Sequence, residues 1–254
     1  MFDLTGRVAL VTGAGQGIGA GIAEMLARAG AAVAVNDLHA DRAASTVEQL
    51  VGLGARAVAV PFDVTDEAAV GAGVGEAAGA LGRPIDVLVN NAGVPLEMSM
   101  QAFVDMDPAE WHRCVDLNMY GSMLCIRAVL PAMQQQRWGR IIQISSGAAQ
   151  SGLKIGVSLY GASKSGIEGF LRHLSQEIAT DGVTVNAIAL GLMGNAVPDT
   201  ADVSDVLARI ARMVPVGRLG TPRDAGAMAV FVASDEAEWL TGQSIQLNGG
   251  QTTT

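Results

Sequence analysis

Short apolar runs alternate with longer segments of helical periodicity along most of the chain. The runs contain few polar residues, which is typical of strands buried on both faces. They lie at residues 8–11, 32–35, 57–60, 87–89, 141–144, 183–188 and 244–247. Because helical segments separate them, we expect right-handed crossovers between parallel strands. The predicted fold class is α/β, a doubly wound seven-stranded parallel sheet with helices on both faces.

No internal boundary is visible in this alternation. No linker rich in Pro, Gly or Ser divides the chain, and no internal repeat is evident. We therefore predict a single domain over residues 1–254. Residues 192–203 mix Met, Gly, Asn, Pro and Asp, which is typical of a loop or a lid.

Glycine accounts for 32 of the 254 residues, roughly twice its usual share of about 7%. Hydrophobic residues make up 50% of the chain and charged residues 16%, so a large core can form and disorder is excluded. The glycines follow no three-residue period, which excludes collagen. Their abundance suits tight turns between strands and helices.

The net charge is −9, from 16 basic and 25 acidic residues. Nucleic-acid binders carry a basic stripe, and the sequence has none, so we expect no nucleic-acid partner. The two cysteines, Cys114 and Cys125, are too few for a disulfide framework and lack metal-ligand spacing. We expect both to be buried small apolar residues, and we predict no metal site.

Neither the start of the chain nor its longest uncharged run predicts a targeting or membrane-spanning segment. The start, Met1-Phe2-Asp3-Leu4, lacks the basic and apolar regions of a signal peptide. The longest uncharged run, residues 182–198, contains two Asn, three Gly and one Pro. It is also shorter than the roughly 20 apolar residues that span a bilayer. We expect a cytoplasmic protein with no membrane association.

A glycine-rich turn, Thr12-Gly13-Ala14-Gly15-Gln16-Gly17-Ile18-Gly19, joins the first predicted strand to the first predicted helix. Glycines allow a tight turn and let the backbone approach a pyrophosphate, while the helix N-terminus supplies free N–H groups. A glycine pattern alone is weak evidence in a glycine-rich chain. Its position between strand and helix favours a dinucleotide site over a simple turn.

Asp37 ends the second predicted strand. Its carboxylate can accept hydrogen bonds from an adenosine ribose and would repel a 2′-phosphate. No Arg or Lys lies in the glycine turn or next to Asp37 in the sequence. The predicted cofactor is therefore NAD rather than NADP; the alternative is that Asp37 only caps the following helix.

Tyr160 and Lys164 are spaced i, i+4 at the start of a predicted helix. This spacing places a phenol and an ammonium on one helix face. A free tyrosine has a pKa near 10, and a neighbouring ammonium favours its phenolate form. The pair is therefore a candidate acid–base site, although the same spacing also occurs on solvated helix faces.

Further short motifs follow in order along nearly the whole chain, and their joint order and spacing are specific. They are Thr12-Gly13-x-x-x-Gly17-Ile18-Gly19, Asp63-Val64, Asn90-Asn91-Ala92-Gly93, Asn118, Ser145-Ser146, Tyr160-x-x-x-Lys164, Gly217-Arg218-Leu219-Gly220-Thr221-Pro222, Thr241-Gly242 and Asn248-Gly249-Gly250. With these motifs the sequence resembles the short-chain dehydrogenase/reductase family, in its single-domain branch. The resemblance implies a Rossmann-like fold and an oxidoreductase with a substrate loop at about residues 191–214.

The resemblance also implies a role for each matched residue. Tyr160 would be the acid or base, and Lys164 would lower its pKa and hold the nicotinamide ribose. Ser146 would hydrogen-bond the substrate oxygen, and Asn118 would position a water that links Lys164 to solvent. The residues implied to line the cofactor site are Gly13, Gln16, Gly17, Ile18, Gly19, Asp37, Asp63, Val64, Asn91, Ala92, Gly93, Tyr160, Lys164 and Gly191.

Two positions depart from the family pattern. The family has Pro-Gly after the sixth strand and Thr four residues later, where this chain has Leu190-Gly191 and Asn195. The resemblance implies that the family's Thr binds the nicotinamide amide, so binding by Asn195 at this position is in question. Tyr160 also follows Ser146 by 14 residues, one more than is common. We interpret this as a small insertion between Ala148 and Ser158, with Ser145 the less favoured alternative to Ser146.

These features predict an NAD-dependent oxidoreductase that interconverts a secondary alcohol and a ketone. Candidate substrate-pocket residues are mostly apolar, which favours a hydrophobic or alicyclic substrate, although such residues are often core. They are Leu96, Met98, Gln150, Val157, Leu192, Met193 and Val197. One alternative is a 3-oxoacyl-[acyl-carrier-protein] reductase using NADPH, which Asp37 and the uncharged Gln16 disfavour. Another is a nucleotide-binding regulator without catalysis, which the intact Ser146, Tyr160 and Lys164 disfavour.

The expected partners are a small-molecule substrate and further copies of the chain. Family members of this length are usually homotetramers that pack the long helices against a partner. Here these helices are predicted at residues 108–136 and 159–179. Leu171, Leu174 and Ile178 are candidate partner contacts, but their spacing equally fits packing on the sheet. Arg127 and Arg172 are a candidate basic patch for an acidic acyl carrier, or solubilising surface residues.

Overall fold

The computed structural model describes residues 1–93, 101–194 and 207–253. Over these residues it contains a seven-stranded sheet in the order β3-β2-β1-β4-β5-β6-β7, with every neighbouring pair parallel. The strands are β1 Val8–Val11, β2 Ala32–Val35, β3 Ala57–Ala59, β4 Val87–Asn90, β5 Gly139–Ser146, β6 Val183–Leu190 and β7 Ser244–Leu247. The predicted fold class is confirmed.

Helices connect the strands and cover both faces of the sheet. They are α1 Gly17–Arg28, α2 Ala40–Gly52, α3 Glu67–Leu81, α4 Pro108–Val115, α5 Gly121–Gln136, α6 Ser158–Ile178 and α7 Pro222–Ala233. The strand order reverses between β1 and β4. In doubly wound sheets the crevice at such a switch point, outside the carboxyl ends of the strands, is where ligands bind.

The pairing of β5 with β6 is longer than the apolar pattern predicts. The two strands pair from Gly139 with Val183 to Ser146 with Leu190. Polar residues of β5 on either side of the predicted run, Arg140 and Ser145, are buried within this ladder. An apolar run cannot reveal them, so the prediction ended β5 at residue 144.

The helix predicted over residues 108–136 is divided into α4 and α5. Between them lies a π-helical turn, Asp116–Tyr120, which carries the buried Asn118. Such turns often occur at functional sites. Because the chain stays helical through the turn, periodicity alone gives no sign of it.

Successive side chains of each strand point to opposite faces of the sheet, so they pack into two different apolar clusters. On β5, Ile142 packs with α1 and α7 residues on one face, and Ile141 packs with α5 and α6 residues on the other. Both cysteines are free and buried, as predicted. In the part of the chain that the structure describes, no helix is long and apolar enough to cross a membrane.

Candidate active site

The glycine turn lies at the carboxyl end of β1, beside the switch point. Gly13 and Gly17 have φ of 60° and 57°, a backbone region that residues with a side chain rarely adopt. A Cβ on Gly13 would lie 2.9 Å from the Ala92 Cα, and a Cβ on Gly19 would collide with the Gly13 carbonyl. The turn therefore requires glycine at these positions to keep its backbone exposed to the crevice.

The segment after β4 holds this turn in place. The main-chain N–H groups of Asn91 and Ala92 both donate to the Thr12 hydroxyl, each at 3.0 Å. The Asn91 side chain donates to the carbonyl oxygens of Thr12 and Gly13. Asn91 and Ala92 thus act on the predicted cofactor site by fixing the turn.

Asp37 is buried at the end of β2. Its Oδ2 accepts from the Gly15 N–H at 3.0 Å, and its Oδ1 accepts from the His39 N–H at 3.0 Å. His39, not Asp37, is the N-cap of α2. The carboxylate therefore faces the glycine turn rather than only capping the helix.

A basic residue does lie close to this carboxylate, although none is adjacent to it in the sequence. A Cβ added to Gly15 would lie 2.6 Å from both the Arg42 Cβ and the Asp37 Oδ2. Arg42 stands in the first turn of α2, and the fold of the β2–α2 connection brings its side chain beside the turn. Sequence adjacency could not reveal this proximity.

The remaining predicted cofactor residues surround the same crevice. Gln16 is the exposed N-cap of α1 and forms no side-chain cap hydrogen bond. Ile18 is partly buried in the first turn of α1. The Asp63 carboxylate accepts from the N–H and hydroxyl of Thr65, both at 2.8 Å, and Val64 is buried against Gly121.

These residues fit a dinucleotide cofactor. The first amides of α1 have no side-chain cap, and they lie next to a turn whose glycines keep the approach open. A phosphate group is the ordinary ligand of such a helix terminus. Over the described residues there is no group of three or more His, Cys, Asp or Glu side chains that could hold a metal ion.

Tyr160 and Lys164 lie on the face of α6 that packs on β5. The Lys164 side chain is only 3% exposed, and its Nζ donates to the Ile144 carbonyl at 2.9 Å. Burial lowers the pKa of Lys164 to about 8. The ammonium is therefore held against the sheet at a point next to the predicted catalytic tyrosine.

The expected lowering of the Tyr160 pKa by Lys164 is not found. Burial raises the pKa of Tyr160 above its ordinary value, and a hydrogen bond with Ser146 opposes the rise. The Lys164 Nζ lies 5.7 Å from the centre of the tyrosine ring and is directed to Ile144 instead. In this geometry the phenol is the favoured form of Tyr160 at neutral pH.

The structure distinguishes the two serines at the end of β5. The Ser146 hydroxyl is close enough to Tyr160 to affect its pKa and accepts from the Ala148 N–H. The Ser145 hydroxyl is buried and donates to the Glu168 carboxylate at 2.5 Å. Ser146 is thus the serine beside the tyrosine, although it precedes Tyr160 by one residue more than is common in the family.

Asn118 reaches the same place from the π-helical turn. Its Nδ2 donates to the Cys114 carbonyl at 3.0 Å, while its buried Oδ1 has no hydrogen-bond partner among the residues that the structure describes. A Cβ on Gly93 would lie 3.4 Å from this Oδ1 and 3.7 Å from the Lys164 Nζ. Asn118, Lys164 and Gly93 therefore meet at one point in the crevice.

The predicted substrate side is only partly described. Leu96, Met98, Asn195 and Val197 lie outside the described residues, as does much of the predicted loop at 191–214. Leu192 is exposed, Met193 is partly buried, and Val157 is the N-cap of α6. The Gln150 amide donates to the Ser244 hydroxyl on β7 at 2.7 Å.

Gly191 is required for a different reason from the one predicted. Its N–H donates to the Leu247 carbonyl, and a Cβ there would collide with Gln251 and lie 2.7 Å from the Asn248 Cα. The next residue, Leu192, donates its N–H to the Gln251 side chain at 2.8 Å. The C-terminal segment therefore packs against the base of the loop. Leu190, the departure from the family pattern, pairs with Leu247 inside the sheet.

Two residues that support the site were missed from the sequence. Asn36 is buried; its amide donates to the carbonyls of Val60 and Phe62, and its Oδ1 accepts from the Gly13 N–H. Glu168 binds Ser145 beneath the tyrosine and lysine. A polar residue ending an apolar run was the available signal for Asn36. For Glu168 the signal was its i, i+4 spacing from Lys164.

Comparisons with known proteins agree with this geometry. A family model described as enoyl-(acyl carrier protein) reductase matches residues 13–252. The oxidoreductase UcpA of Salmonella typhimurium is 38% identical over 259 residues, covering 99% of this chain and 97% of its own. The acetoacetyl-CoA reductase of Shinella zoogloeoides is 39% identical over 96% of this chain and 98% of its own.

A solved structure gives the same result. The 3-oxoacyl-[acyl-carrier protein] reductase of Brucella melitensis, with bound NAD, superposes with a TM-score of 0.89 at 35% identity. The match covers 99% of this chain and 94% of that one. Combined with the ordered motifs and the sheet order, these matches show that the chain belongs to the short-chain dehydrogenase/reductase family of nicotinamide-dependent oxidoreductases.

Proposed function

We propose that the protein is an NAD-dependent oxidoreductase that interconverts a secondary alcohol and a ketone, with a hydrophobic or alicyclic substrate. The observation that carries the proposal is the meeting of Ser146, Tyr160 and Lys164 where β5 ends against α6. Asn118 joins them from the π-helical turn. These groups lie at the carboxyl ends of the strands, where the glycine turn also lies.

In this proposal the protein orients a carbonyl and moves one proton. The Ser146 hydroxyl hydrogen-bonds the substrate oxygen, and the Tyr160 phenol gives that oxygen a proton during ketone reduction. Burial raises the pKa of Tyr160 from an ordinary value that already lies above neutral pH, so the phenol is protonated there, as a proton donor requires. In alcohol oxidation Tyr160 takes the proton back.

The glycine turn and Asp37 would hold the cofactor, which supplies or accepts the hydride when bound. Lys164 holds its ammonium beside the tyrosine and would bind the nicotinamide ribose. The Oδ1 of Asn118 lacks a partner within the described part of the chain and is an acceptor suited to a water molecule between Lys164 and solvent. That water would return a proton to the site after each turnover.

NAD is the proposed cofactor because of Asp37. Its buried carboxylate is fixed by two main-chain N–H groups at the position where an adenosine ribose is read in this fold. A negative charge held there repels a 2′-phosphate. The NAD bound in the Brucella melitensis relative supports this choice.

The second candidate is reduction of a 3-oxoacyl thioester with NADPH. The activities named for two relatives favour that class of substrate, although one of these relatives contains NAD. Asp37 opposes NADPH. An acyl carrier would also need a free basic patch, and Arg127 is paired with Glu67 at 3.0 Å. A nucleotide-binding regulator without catalysis remains a third alternative.

We also propose a homotetramer, on the resemblance to the family. Leu171, Leu174 and Ile178 are buried against the sheet, so they are not available to a partner. Large apolar side chains are exposed elsewhere: Phe103, Val104 and Tyr120 near α4, and Trp239, which is 97% exposed. Such exposure suits an interface between copies. Sedimentation velocity showing a monomer would contradict the tetramer.

The test of the main proposal is a panel of secondary alcohols and ketones with NAD(H) and NADP(H), alongside a 3-oxoacyl thioester. Tyr160→Phe should lower turnover by at least about 100-fold while NADH still binds. Tyr120→Phe is the matched control, because Tyr120 is the only other tyrosine and is exposed. Persistent turnover in Tyr160→Phe removes Tyr160 as the acid–base group. NADH binding without turnover across the panel favours the regulator.

A further inference from the structure

A buried carboxylate, that of Glu168, lies one helical turn from Lys164 on the helix that carries Tyr160 and Lys164. Glu168 is only 5% exposed, and its Oε1 accepts a hydrogen bond from the Ser145 hydroxyl at 2.5 Å. Burying a carboxylate is costly unless a donor or an opposite charge compensates it. Glu168 takes no direct part in the proposed reaction.

Glu168 continues a series along α6. Tyr160, Lys164 and Glu168 are each separated by four residues, so they lie on one face of the helix. Each acts on one of three consecutive residues of β5. The tyrosine interacts with Ser146, the lysine with the Ile144 carbonyl, and the glutamate with Ser145. Glu168 therefore helps to fix the strand end that carries Ser146.

The charges around Lys164 give Glu168 a second effect. Burial lowers the pKa of Lys164, whereas Cys114 on α4 and Glu168 on α6 raise it. Burial raises the pKa of the Cys114 thiol, so the thiol is neutral where Lys164 titrates. Tyr160 is neutral there for the same reason. Among the groups that the described residues place around Lys164, Glu168 supplies the negative charge.

We propose that Glu168 is a positioning residue of the active site. It holds a buried negative charge one helical turn beyond Lys164, which keeps the ammonium charged, and it fixes Ser146 through Ser145. The inference rests on the proposed function, because the charge of Lys164 matters only if this lysine binds the cofactor and supports Tyr160.

The experiment compares three substitutions at this position. Glu168→Gln and Glu168→Met remove the charge with little change in side-chain length, and Glu168→Asp retains the charge. Glu177→Gln is the matched control, because Glu177 is an exposed glutamate on the same helix. Two quantities are measured from pH 6 to 10: the unfolding free energy without cofactor, and the NADH dissociation constant by fluorescence.

The neutral variants should release the Lys164 proton at lower pH. Without cofactor, the Lys164 contribution should begin to rise at least about half a pH unit earlier than in the parent, so the unfolding free energy of the neutral variants relative to the parent's should increase between about pH 7 and 8. At pH 8.5 they should bind NADH up to about tenfold more weakly than the parent, since a one-unit fall in pKa removes that fraction of the ammonium. At pH 6 the affinities should agree within about twofold. Glu168→Asp should restore the parent's pH dependence.

Several results would overturn the proposal. One is a neutral variant whose two pH profiles superimpose on the parent's. Another is an equal loss of NADH affinity at every pH, which indicates a packing role. If neither neutral variant folds, Glu168 belongs to the fold alone and the proposal is wrong. Failure of the parent to bind NADH contradicts the proposed function instead, while the cofactor-free unfolding curves still decide whether Glu168 acts on Lys164.

Discussion

The side-chain amide of Asn91 donates a hydrogen bond to the Gly13 carbonyl at 2.9 Å, and so ties the end of β4 to the glycine turn after β1. The same nitrogen donates to the Thr12 carbonyl at 3.0 Å. Gly13 has a positive φ that the turn itself must maintain. The exposed backbone of the proposed cofactor site therefore depends on a side chain from the neighbouring strand.

Asn91→Ala should weaken NADH binding by about tenfold or more, because the turn loses both side-chain hydrogen bonds. The lost bonds should also lower the unfolding free energy by about 1–3 kcal/mol. Fluorescence titration and chemical denaturation measure the two effects. Gln134→Ala is the control, since the Gln134 amide donates to Asp181 just before the amino end of β6, away from the glycine turn. Unchanged NADH affinity in Asn91→Ala would show that the turn keeps its shape alone.

Asp37→Ser should raise the preference for NADP over NAD by about 10- to 100-fold in kcat/KM. The substitution removes the charge that repels a 2′-phosphate, and Arg42 is then able to pair with it, a charged interaction of about 1.5–3 kcal/mol. Adding Arg42→Ala should abolish the gain. If both variants change preference equally, Arg42 does not reach the cofactor.

The sequence predicted the sheet and the motif residues because both depend on local patterns. An apolar run between helical segments shows a buried parallel strand, and a glycine turn between strand and helix shows a phosphate site. The hydrogen bond between Ser145 and Glu168 was not predicted, because it joins residues far apart in the chain. The proximity of Arg42 to Asp37 was missed as well, because it depends on how α2 leaves β2.

The contribution of Lys164 to the stability of the cofactor-free protein should increase with pH above about 8, whereas the buried Cys114 and Cys125 thiols, whose pKa values burial raises, titrate in the opposite sense. Lys164 has a folded-state pKa of about 8, whereas an unfolded lysine titrates near pH 10.4. Between these values the unfolded chain binds the proton and the folded protein does not, so raising the pH favours folding. Between pH 7 and 9.5 the contribution of Lys164, taken as the difference from a variant without this lysine, should rise by about 2 kcal/mol.

Lys164→Met supplies the reference for that measurement. The variant lacks the titrating group, so its unfolding free energy should miss this increase while other groups titrate as before. Denaturant unfolding at several pH values measures the difference between the two proteins. A difference that stays constant from pH 7 to 9.5 would mean that Lys164 is not desolvated in the folded state.

The glycines of α3 should respond to substitution in opposite ways. A Cβ on Gly75 would meet open space, so Gly75→Ala should stabilise the helix by about 0.5–1 kcal/mol through lower backbone entropy in the unfolded chain. A Cβ on Gly73 would collide with the Phe62 ring, so Gly73→Ala should destabilise by about 1–3 kcal/mol. The two substitutions are chemically identical and two residues apart, so each is the control for the other. Thermal unfolding should show a midpoint raised by about 2 °C for Gly75→Ala and lowered for Gly73→Ala. Equal shifts would mean that the Phe62 ring moves aside and that packing against it does not require glycine at residue 73.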